Sequence, residues 1–252
     1  DVCSSDLYRV YLEQRAYTAY GWRWLAWEDY AIKDEEGRTI EIQAIGRDIT
    51  DRKQAEEALM RRDSILEAVG FAAEQFLRIA PLAQSIPLVL EHLGKATQVS
   101  RVYIFQNDVV AMSEDAPEQE VLVTSQQYEW CAPGVEPQID NPALQGVPFE
   151  AAGLWRWVEL MQQGQAVYGK VRTFPADERE VLEPQNILSL AAVPIYVGQQ
   201  WWGFMGFDDC EHDHTWTLPE IDTLKAAAGI LGAAIQRDQV QADLRDSQLL
   251  YQ

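Results

Sequence analysis

The sequence predicts an α+β fold in which a β-rich N-terminal segment leads through a long helix into a second domain of strands flanked by helices. Three patterns predict it. Before residue 49, apolar and polar residues alternate with a period of two. From Thr50 onwards, apolar residues recur in steps of three and four. Further along, two apolar runs flank Gly198. These patterns are typical of strands, of a helix and of a hairpin, respectively.

Residues 8–49 are predicted to form strands. The stretches "YLEQRAYTAY" and "WRWLAWEDYAI" are rich in aromatic and β-branched residues. In "GRTIEIQAIGRDI", isoleucines alternate with Glu41 and Gln43, which indicates a strand with one solvated face. The "DEEG" sequence at 34–37 predicts a hairpin turn with glycine near its end.

A long helix is predicted next, with Thr50 as its N-cap and Asp51 placing negative charge in the first turn. Its apolar residues alternate in steps of three and four, which is a heptad pattern. For the densely charged residues 51–65 the pattern favours a connecting helix that pairs with a second copy, and an ordinary amphipathic helix is the alternative. Beyond Ile65 the helix is expected to join the next core. The two rows are Leu59, Leu66, Ala73 and Ala80, and Arg62, Val69 and Phe76.

The second domain is predicted to mix strands and helices. The two runs in "ILSLAAVPIYVGQQWWGFMGFDD" have no polar face, so both belong in the middle of a sheet. Residues 131–150 contain four prolines and two glycines, which predicts a long irregular connection of the kind that often forms a lid or binding loop. The other predicted elements are a helix from Ser85 to Thr97 capped by Ser85, strands at 99–105, 120–130 and 166–174, and helical segments at 154–164 and 175–186.

A last long helix is predicted after Trp216, which is expected to anchor the preceding loop, with a cap near Thr217. The apolar pattern weakens at Asp238, so residues 238–252 are expected to begin a linker helix to a further domain. The heptad row is Ile221, Ala228, Ile235, Ala242 and Leu249, with Leu224 and Leu231 between its members.

Acidic residues outnumber basic ones by 40 to 20, which gives a formal charge of −20. Such a surface repels phosphate groups, so we expect neither nucleic-acid binding nor direct membrane contact. No apolar run approaches the ~18 residues of a membrane-spanning helix. Three widely spaced cysteines favour a reducing compartment, so a cytoplasmic location is expected. Because the sequence begins at Asp1 and not at methionine, we expect it to be part of a longer protein.

The segment "FDDCEHDHTW" raises the question of a metal site. In an extended strand Cys210, His212 and His214 would stand roughly 7 Å apart on one face, too far for all three to reach one ion at about 2.0–2.3 Å. The only other histidine, His92, lies on a distant predicted helix. We therefore predict the polar exit from a strand that ends at Asp208, and no metal centre.

Residues 8–50 resemble the C-terminal half of a PAS domain. The resemblance rests on "GWRWLAW", on the hairpin "IKDEEGRTIEIQAIGRDIT" and on the ending "DITDRK" followed by "QAEEAL". It implies that residues 1–50 form the C-terminal part of a PAS sheet and that 51–65 form a coiled-coil-like connecting helix. Because the front half of a PAS domain contributes much of its ligand pocket, no cofactor site is expected here.

Residues 63–237 resemble a GAF domain of bacterial signalling proteins. The segments that carry the resemblance include "ATQVSRVYIF", "YEWCAPGVEPQIDN", "LWRWVELMQQGQAVYGKV" and "ILSLAAVPIYVGQQWWGFMGFDDC". It implies a GAF-type central antiparallel sheet over residues 66–237, with helices on one face and a small-molecule pocket on the other. It also implies a non-catalytic sensory part of a histidine kinase, a diguanylate cyclase or a similar regulator of a two-component or cyclic-di-GMP system.

Two special kinds of GAF domain depend on cysteine. Some hold a bilin through a cysteine that stands beside a histidine, and neither Cys131 in "YEWCAPG" nor Cys210 reproduces that pattern. Others reduce methionine sulfoxide with thiolates, which need a cationic neighbour, whereas both cysteines have acidic or neutral neighbours in the sequence. Cys3 carries no information, and the residues name no cofactor.

Aromatic residues mark the predicted pocket. Tyr103 and Phe105 alternate with Val102 and Ile104, so the two pairs point to opposite faces of a strand. One face is expected to meet the helices and the other to cover the pocket. The candidate ligand-binding residues are Tyr103, Phe105, Trp130, Trp155 and Trp157, and the alternative is that they only fill the core.

Together these features predict a sensory and signal-relay segment. A ligand of unknown identity would bias the pocket between two packings, and the flanking helices, 51–80 and 218–250, would pass the change to an output domain in the same chain. The heptads predict a parallel homodimer. One alternative is a dimerisation and spacer module without a ligand, and another is a bilin- or thiol-dependent domain.

Overall fold

The structure is a computed structural model that describes residues 8–78, 81–111 and 120–250. The chain divides into two compact units, an N-terminal unit of residues 1–60 and a C-terminal unit of residues 61–252. Cys3 and Ala80, which carry two of the sequence interpretations, lie outside the described residues. Within the described residues, no helix is both long enough and apolar enough to cross a membrane.

The N-terminal unit is built on a three-stranded antiparallel sheet. Its strands are β1 (Tyr8–Thr18), β2 (Gly21–Lys33) and β3 (Thr39–Asp48), in the order β1-β2-β3. At the turn between β2 and β3, the Asp34 carboxylate accepts hydrogen bonds from the backbone N–H groups of Glu36 (3.1 Å) and Arg38 (2.8 Å). Gly37 completes the turn with a φ of 79°. The predicted hairpin is confirmed.

Helix α1 (Thr50–Leu77) follows β3 as predicted, but its first turn is organised differently. The Thr50 hydroxyl accepts a hydrogen bond from the backbone N–H of Trp24 in β2 (2.9 Å), so the predicted N-cap is wrong. Asp48 accepts from the Thr50 backbone N–H (2.9 Å). The two basic side chains of the first turn bind the Glu13 carboxylate of β1 at 2.6 and 2.5 Å. These contacts fix the start of α1 on the small sheet.

The C-terminal unit is built on a six-stranded antiparallel sheet in the order β6-β5-β4-β9-β8-β7. The predicted hairpin around Gly198 (φ 62°) is confirmed, and its two strands lie inside the sheet. One predicted strand is wrong in extent, because a 3-10 turn replaces extended chain after Lys170. The strands are β4 (Arg101–Ala111), β5 (Glu120–Cys131), β6 (Val147–Pro148), β7 (Val167–Lys170), β8 (Ser189–Val197) and β9 (Gln200–Asp209).

Four further helices are α2 (Leu82–Thr97), α3 (Trp155–Gln162), α4 (Ala176–Leu182) and α5 (Leu218–Leu250). The predicted cap of α2 at Ser85 is wrong. Pro81 is extended (ψ 133°) and precedes the helix, which begins one turn earlier and buries Ser85 inside it. The predicted cap of α5 is confirmed, because the N–H and hydroxyl of Thr217 each donate to the Glu220 carboxylate at 2.8 Å. Trp216 is buried beside it.

The six-stranded sheet separates two cores. Val102 and Ile104 of β4 face a helix-side core, to which α1, α2 and α5 contribute. Tyr103 and Phe105 face a cavity-side core, to which α3 and the connection between β5 and α3 contribute. Because successive side chains of a strand point to opposite faces, this alternation assigns each residue of the central strands to one layer. The predicted division of β4 into two faces is confirmed.

The heptad rows divide between the core and the surface. In α5 the row from Ile221 to Ile235 is buried in the helix-side core, so it is not available to a second copy. A helix that packs on its own sheet and a helix that pairs with a second copy show the same apolar period. The sequence pattern therefore could not distinguish these two possibilities. In α1, Phe76 is buried in the same core, whereas Leu59 is 52% exposed and Leu66 is 48% exposed. The Leu249 side chain lies outside the description.

Gly232 in α5 touches the backbone of β8. A Cβ at this position would lie 2.0 Å from the Tyr196 carbonyl oxygen. Gly232→Ala is therefore expected to lower the free energy of unfolding by about 1–3 kcal/mol, because the helix or the strand must shift. Urea unfolding of the full chain, followed by circular dichroism, measures the change.

Gly229→Ala is the matched control in the same helix, because among the described residues no atom outside the neighbouring helix backbone lies within 4 Å of a Cβ there. It is expected to raise stability by roughly 0.5–1 kcal/mol, since alanine favours a helix over glycine. Equal effects of the two substitutions would contradict the close packing of α5 on β8.

Candidate ligand pocket

A cavity of about 50 Å³ lies in the cavity-side core. Strands β4, β5 and β9 form its floor, and its walls come from the 131–150 connection, from α3 and from the chain around Gln185. The site is thus assembled from segments that are far apart in the sequence. Its position on the sheet face away from α2 and α5 agrees with the side that the aromatic alternation predicts.

The floor of the cavity is aromatic. The rings of Phe105 in β4 and Phe204 in β9 stack almost in parallel, with centroids 4.9 Å apart. Tyr103 meets Phe105 edge-on at 5.5 Å, and Trp157 of α3 meets Phe204 edge-on at 5.7 Å. Gly206 makes room for this arrangement, because a Cβ there would lie 2.1 Å from the Tyr103 ring. These rings give a ligand a flat apolar surface.

A buried carboxylate stands beside the aromatic floor. Asp208, at the end of β9, is 1% exposed, and its Oδ1 accepts a hydrogen bond from the Tyr103 hydroxyl (2.8 Å). The Arg101 Nε lies 3.8 Å from its Oδ2. Burial raises the pKa of Asp208 to about 7, against the lowering effects of Arg101 and of the hydrogen bond from Tyr103. Near neutral pH this carboxyl group therefore exchanges between its two protonation states.

Arg101 also lines the cavity, and the residue is 2% exposed. Its Nη2 donates to the Gln185 carbonyl oxygen (2.8 Å) and to the Cys210 sulfur (3.2 Å). Arginine keeps its charge in proteins, so the guanidinium presents a fixed positive charge inside the core. It also ties β4 to the chain around Gln185, which closes one wall of the cavity.

Three polar atoms on the cavity wall have no hydrogen-bond partner among the described residues. They are Nε of Arg101, Oε1 of Gln126 and Oε1 of Glu129. The second oxygen of Glu129 accepts from the backbone N–H groups of Gln138 (2.7 Å) and Ile139 (2.9 Å), which fastens the 131–150 connection to β5. A buried polar atom without a partner costs stability, so these three atoms make this part of the fold less stable.

The structure brings three of the five predicted site residues together. Tyr103, Phe105 and Trp157 line the cavity. Trp130 does not, because it pairs across the sheet with Val102 and so shares the helix-side face, where its ring lies against Gly94 of α2. Trp155 is 50% exposed. Residues two apart on a helix do not share a face, and Trp157 is the one turned inwards.

The polar residues of the site were missed by the sequence analysis. Arg101 and Asp208 stand at strand ends, where a charge is typical of an exit to solvent. The available signal was the period of two in β9, which places Phe204, Gly206 and Asp208 on the same face as the cavity. The pairing of Arg101 with Asp208 across β4 and β9 then brings the two charges together, and sequence alone does not give this register.

The residues Cys210, His212 and His214 point to different surroundings. Cys210 contacts Arg101, His212 is exposed, and His214 packs against Trp216. Within residues 8–78, 81–111 and 120–250, no group of three or more His, Cys, Asp or Glu side chains is placed to hold a metal ion.

The neighbourhood of the cysteines differs from the one expected. Cys210 has a cationic neighbour, Arg101, which the sequence analysis did not foresee. Burial nevertheless raises its thiol pKa, against the lowering effect of Arg101. Burial, together with the Glu129 charge, raises the pKa of the Cys131 thiol to about 12. Both thiols are thus poor nucleophiles at neutral pH.

The C-terminal unit combines a six-stranded antiparallel sheet, a helical layer on one face and a cavity on the other, which is an α+β fold. The model of the GAF domain family matches residues 81–235. The chain belongs to the GAF domain family, and the predicted fold is confirmed.

One curated relative is the methanogenesis regulatory histidine kinase FilI of Methanothrix harundinacea (strain 6Ac). It is 40% identical over 213 residues, which cover 84% of this chain and 23% of that protein. The similarity extends beyond residues 81–235, because 213 residues are more than that range contains. The chain spans about a quarter of the length of this relative.

Two solved structures show the same fold. A far-red absorbing dark state with bound biliverdin IXa shares 19% identity with a TM-score of 0.53, over 68% of this chain and 99% of that chain. The photoproduct state of GAF3 from Slr1393 of Synechocystis sp. PCC6803 shares 21% identity with a TM-score of 0.51, over 65% and 99% of the two chains. These likenesses concern the fold alone.

The raised pKa of Asp208 predicts a pH dependence of stability. Because its pKa is about 7 in the folded protein and 3.8 is its ordinary value, the folded state binds the proton more tightly. The stabilisation from this group is complete below about pH 4 and is lost as the pH rises through about 7. Asp208→Asn is expected to remove this contribution.

Urea unfolding of the wild type and of Asp208→Asn between pH 5 and pH 8 measures the effect. The difference in unfolding free energy between the two proteins is expected to change across this range in favour of the variant as the pH rises. Asp209→Asn, at the adjacent position, is the matched control, because it replaces another buried carboxylate, outside the cavity lining, by an amide. A constant difference between wild type and Asp208→Asn would contradict the raised pKa.

Proposed function

We propose that the chain is a sensory and signal-relay segment of a cytoplasmic signal-transduction protein whose GAF cavity binds a small ligand. The observation that carries the proposal is the cavity itself, a buried aromatic floor beside the buried charged side chains of Arg101 and Asp208. Small-molecule sites combine an apolar lining with a few placed polar groups in this way. The relative named as a regulatory histidine kinase supports a parent protein of that class or a cyclic-di-GMP regulator.

For the N-terminal unit we propose the C-terminal half of a PAS domain over residues 1–50, followed by a connecting helix over 51–65. The three antiparallel strands, the "DITDRK" ending and the contacts that bind the first turn of α1 to Glu13 support it. The GAF domain would then cover 66–237, with a linker helix over 238–252 leading to an output domain in the same chain. The segment itself would have no catalytic role.

The proposed relay crosses the sheet at Tyr196 in β8. The Tyr196 hydroxyl donates to the Met161 carbonyl oxygen of α3 (2.5 Å), and α3 also carries the cavity residue Trp157. The Tyr196 backbone oxygen lies against Gly232 of α5. A ligand that moves Trp157 would therefore displace α3, then β8 and then α5. A ligand shifts such an equilibrium only through its different affinities for the two packings.

Titration of the full chain by calorimetry with cyclic nucleotides and a panel of metabolites tests the sensory proposal. Saturable binding that a cavity variant, Phe204→Trp, weakens would support it. Binding by no member of the panel would favour a spacer module without a ligand. An absorbance spectrum of the purified protein tests the bilin alternative, because a bound bilin absorbs visible light.

The parallel homodimer is proposed to form through the exposed row of α1. Leu59 and Leu66 stand seven residues apart, and each is about half exposed. The double substitution Leu59→Asp and Leu66→Asp is expected to convert a dimer into a monomer, because two carboxylates in a heptad seam oppose pairing. Light scattering at several protein concentrations measures the mass.

Leu88→Asp is the matched control, because Leu88 is a similarly exposed leucine on α2, outside the row. It is expected to leave the mass unchanged. A wild-type monomer at high concentration, or equal effects of the control and the double variant, would count against a dimer through α1.

A further inference from the structure

The walls of the cavity are fastened in different ways. The floor strands β4 and β9 are each hydrogen-bonded to a strand on both sides. The backbone N–H of Gly146 donates to the Ser125 hydroxyl (2.8 Å). The Gln145 side-chain amide donates to the Gln126 backbone oxygen (3.1 Å). These bonds tie the 131–150 connection to β5, so the floor and this wall are both anchored in the sheet.

The wall formed by α3 and α4 is held through one carboxylate. Glu178 of α4 accepts hydrogen bonds from Nε and Nη2 of Arg156 (both 2.6 Å) and from the indole N–H of Trp157 (3.1 Å). Among the described residues, every side-chain hydrogen bond that joins α3 to α4 ends on this group. Glu178 is 1% exposed, so water does not compete for it. The position of Trp157 relative to α4 therefore depends on Glu178.

Trp157 is the side chain through which this wall closes the cavity. Its ring is buried and meets Phe204 of the floor edge-on at 5.7 Å. The cavity of about 50 Å³ holds a few water molecules, since one water needs roughly 10–15 Å³ by the same measure. A larger ligand therefore needs a wall that moves. An indole has a single hydrogen-bond donor, so releasing Trp157 breaks fewer bonds than moving a strand of the floor.

We propose that Glu178 is a positioning residue that holds Trp157 in a closed packing of the cavity, and that a ligand binds an open packing in which the indole has left Glu178. This inference rests on the proposed sensory function and specifies how the same site is regulated. Arg156 keeps the Glu178 carboxylate in place from the solvent side, since its own side chain is 40% exposed. Release of Trp157 is the movement that the proposed relay through α3 requires.

Loss of Glu178 is expected to tighten ligand binding. A ligand that binds only the open packing has an apparent dissociation constant equal to its intrinsic constant divided by the open fraction. A hydrogen bond to a charged group is worth ~1.5–3 kcal/mol, and 1.4 kcal/mol is tenfold. Without this bond the open fraction, and with it the affinity, is expected to rise about 10-fold or more. Removal of a residue that only stabilises the fold would not tighten binding.

Benzene is the probe, because it is apolar and can lie on the stacked rings of Phe105 and Phe204. Calorimetry on the full chain measures its dissociation constant for the wild type and for Glu178→Leu, in which an apolar group of similar volume replaces the carboxylate. Glu178→Leu is expected to bind benzene at least about 10-fold more tightly. Glu180→Leu, at an exposed position of the same helix, is the matched control and is expected to leave the constant unchanged.

The indole N–H signal of Trp157 reports the contact itself. It is identified in NMR spectra of the full chain by its absence from Trp157→Phe. The signal is expected to shift and to exchange faster with solvent in Glu178→Leu, and not in Glu180→Leu. Glu178→Gln is the second variant, because it keeps an acceptor for the indole and removes the charge. Its effects on the signal and on benzene binding are expected to fall between those of the wild type and Glu178→Leu.

Two outcomes would overturn the inference, with circular dichroism showing which variants fold. The first is a benzene affinity that is unchanged or weaker in Glu178→Leu or, if that variant does not fold, in Glu178→Gln. The second is an indole signal of Trp157 that stays in place in both variants. Neither outcome decides the sensory proposal, which still stands if a member of the metabolite panel binds the wild type. That proposal fails if the whole panel is silent on the wild type and on Glu178→Leu, whatever benzene does.

Discussion

The alternation of side chains along β4 and β9 is the constraint on which the C-terminal unit depends. It sends Val102 and Ile104 to the helices and Tyr103 and Phe105 to the cavity, and it places Asp208 on the cavity side. A shift of one residue in the pairing of these strands would exchange the two faces. The apolar layer under α5 and the charged cavity thus depend on a single register, so neither can change its composition without affecting the other.

The same register places two buried charged side chains opposite each other, although burying charges lowers stability. Arg101 and Asp208 face each other across β4 and β9 but lie 3.8 Å apart, longer than a hydrogen bond. Each unpartnered buried polar atom costs ~1–3 kcal/mol. A sequence selected for stability alone would have filled the cavity with apolar side chains. Groups that break this rule are typical of functional sites, and the buried pair of Arg101 and Asp208 stands at the cavity.

Much of the fold was predictable from the sequence, whereas the polar half of the site was not. Periods of two and seven gave the strands and the long helices, and they gave the cavity side of Tyr103. The same periods did not predict which partner a residue contacts, because tertiary packing determines that. The α5 row packs on its own sheet, and Trp130 follows its pairing with Val102 to the helix side. Charges at strand ends such as Asp208 are typical of solvent, and only the folded register shows that this one is buried.

The central claim is that a change at the cavity reaches α5 through Tyr196. NMR amide shifts test it most directly, with Trp157→Phe as the change at the cavity wall, which also removes the hydrogen bond from the indole N–H to the Glu178 carboxylate. The account predicts shifts in α5 around Gly232 in the otherwise wild-type chain, and their loss when Tyr196→Phe removes the hydrogen bond to Met161. Shifts confined to α3 and the cavity, or α5 shifts that persist without the Tyr196 hydroxyl, would contradict it.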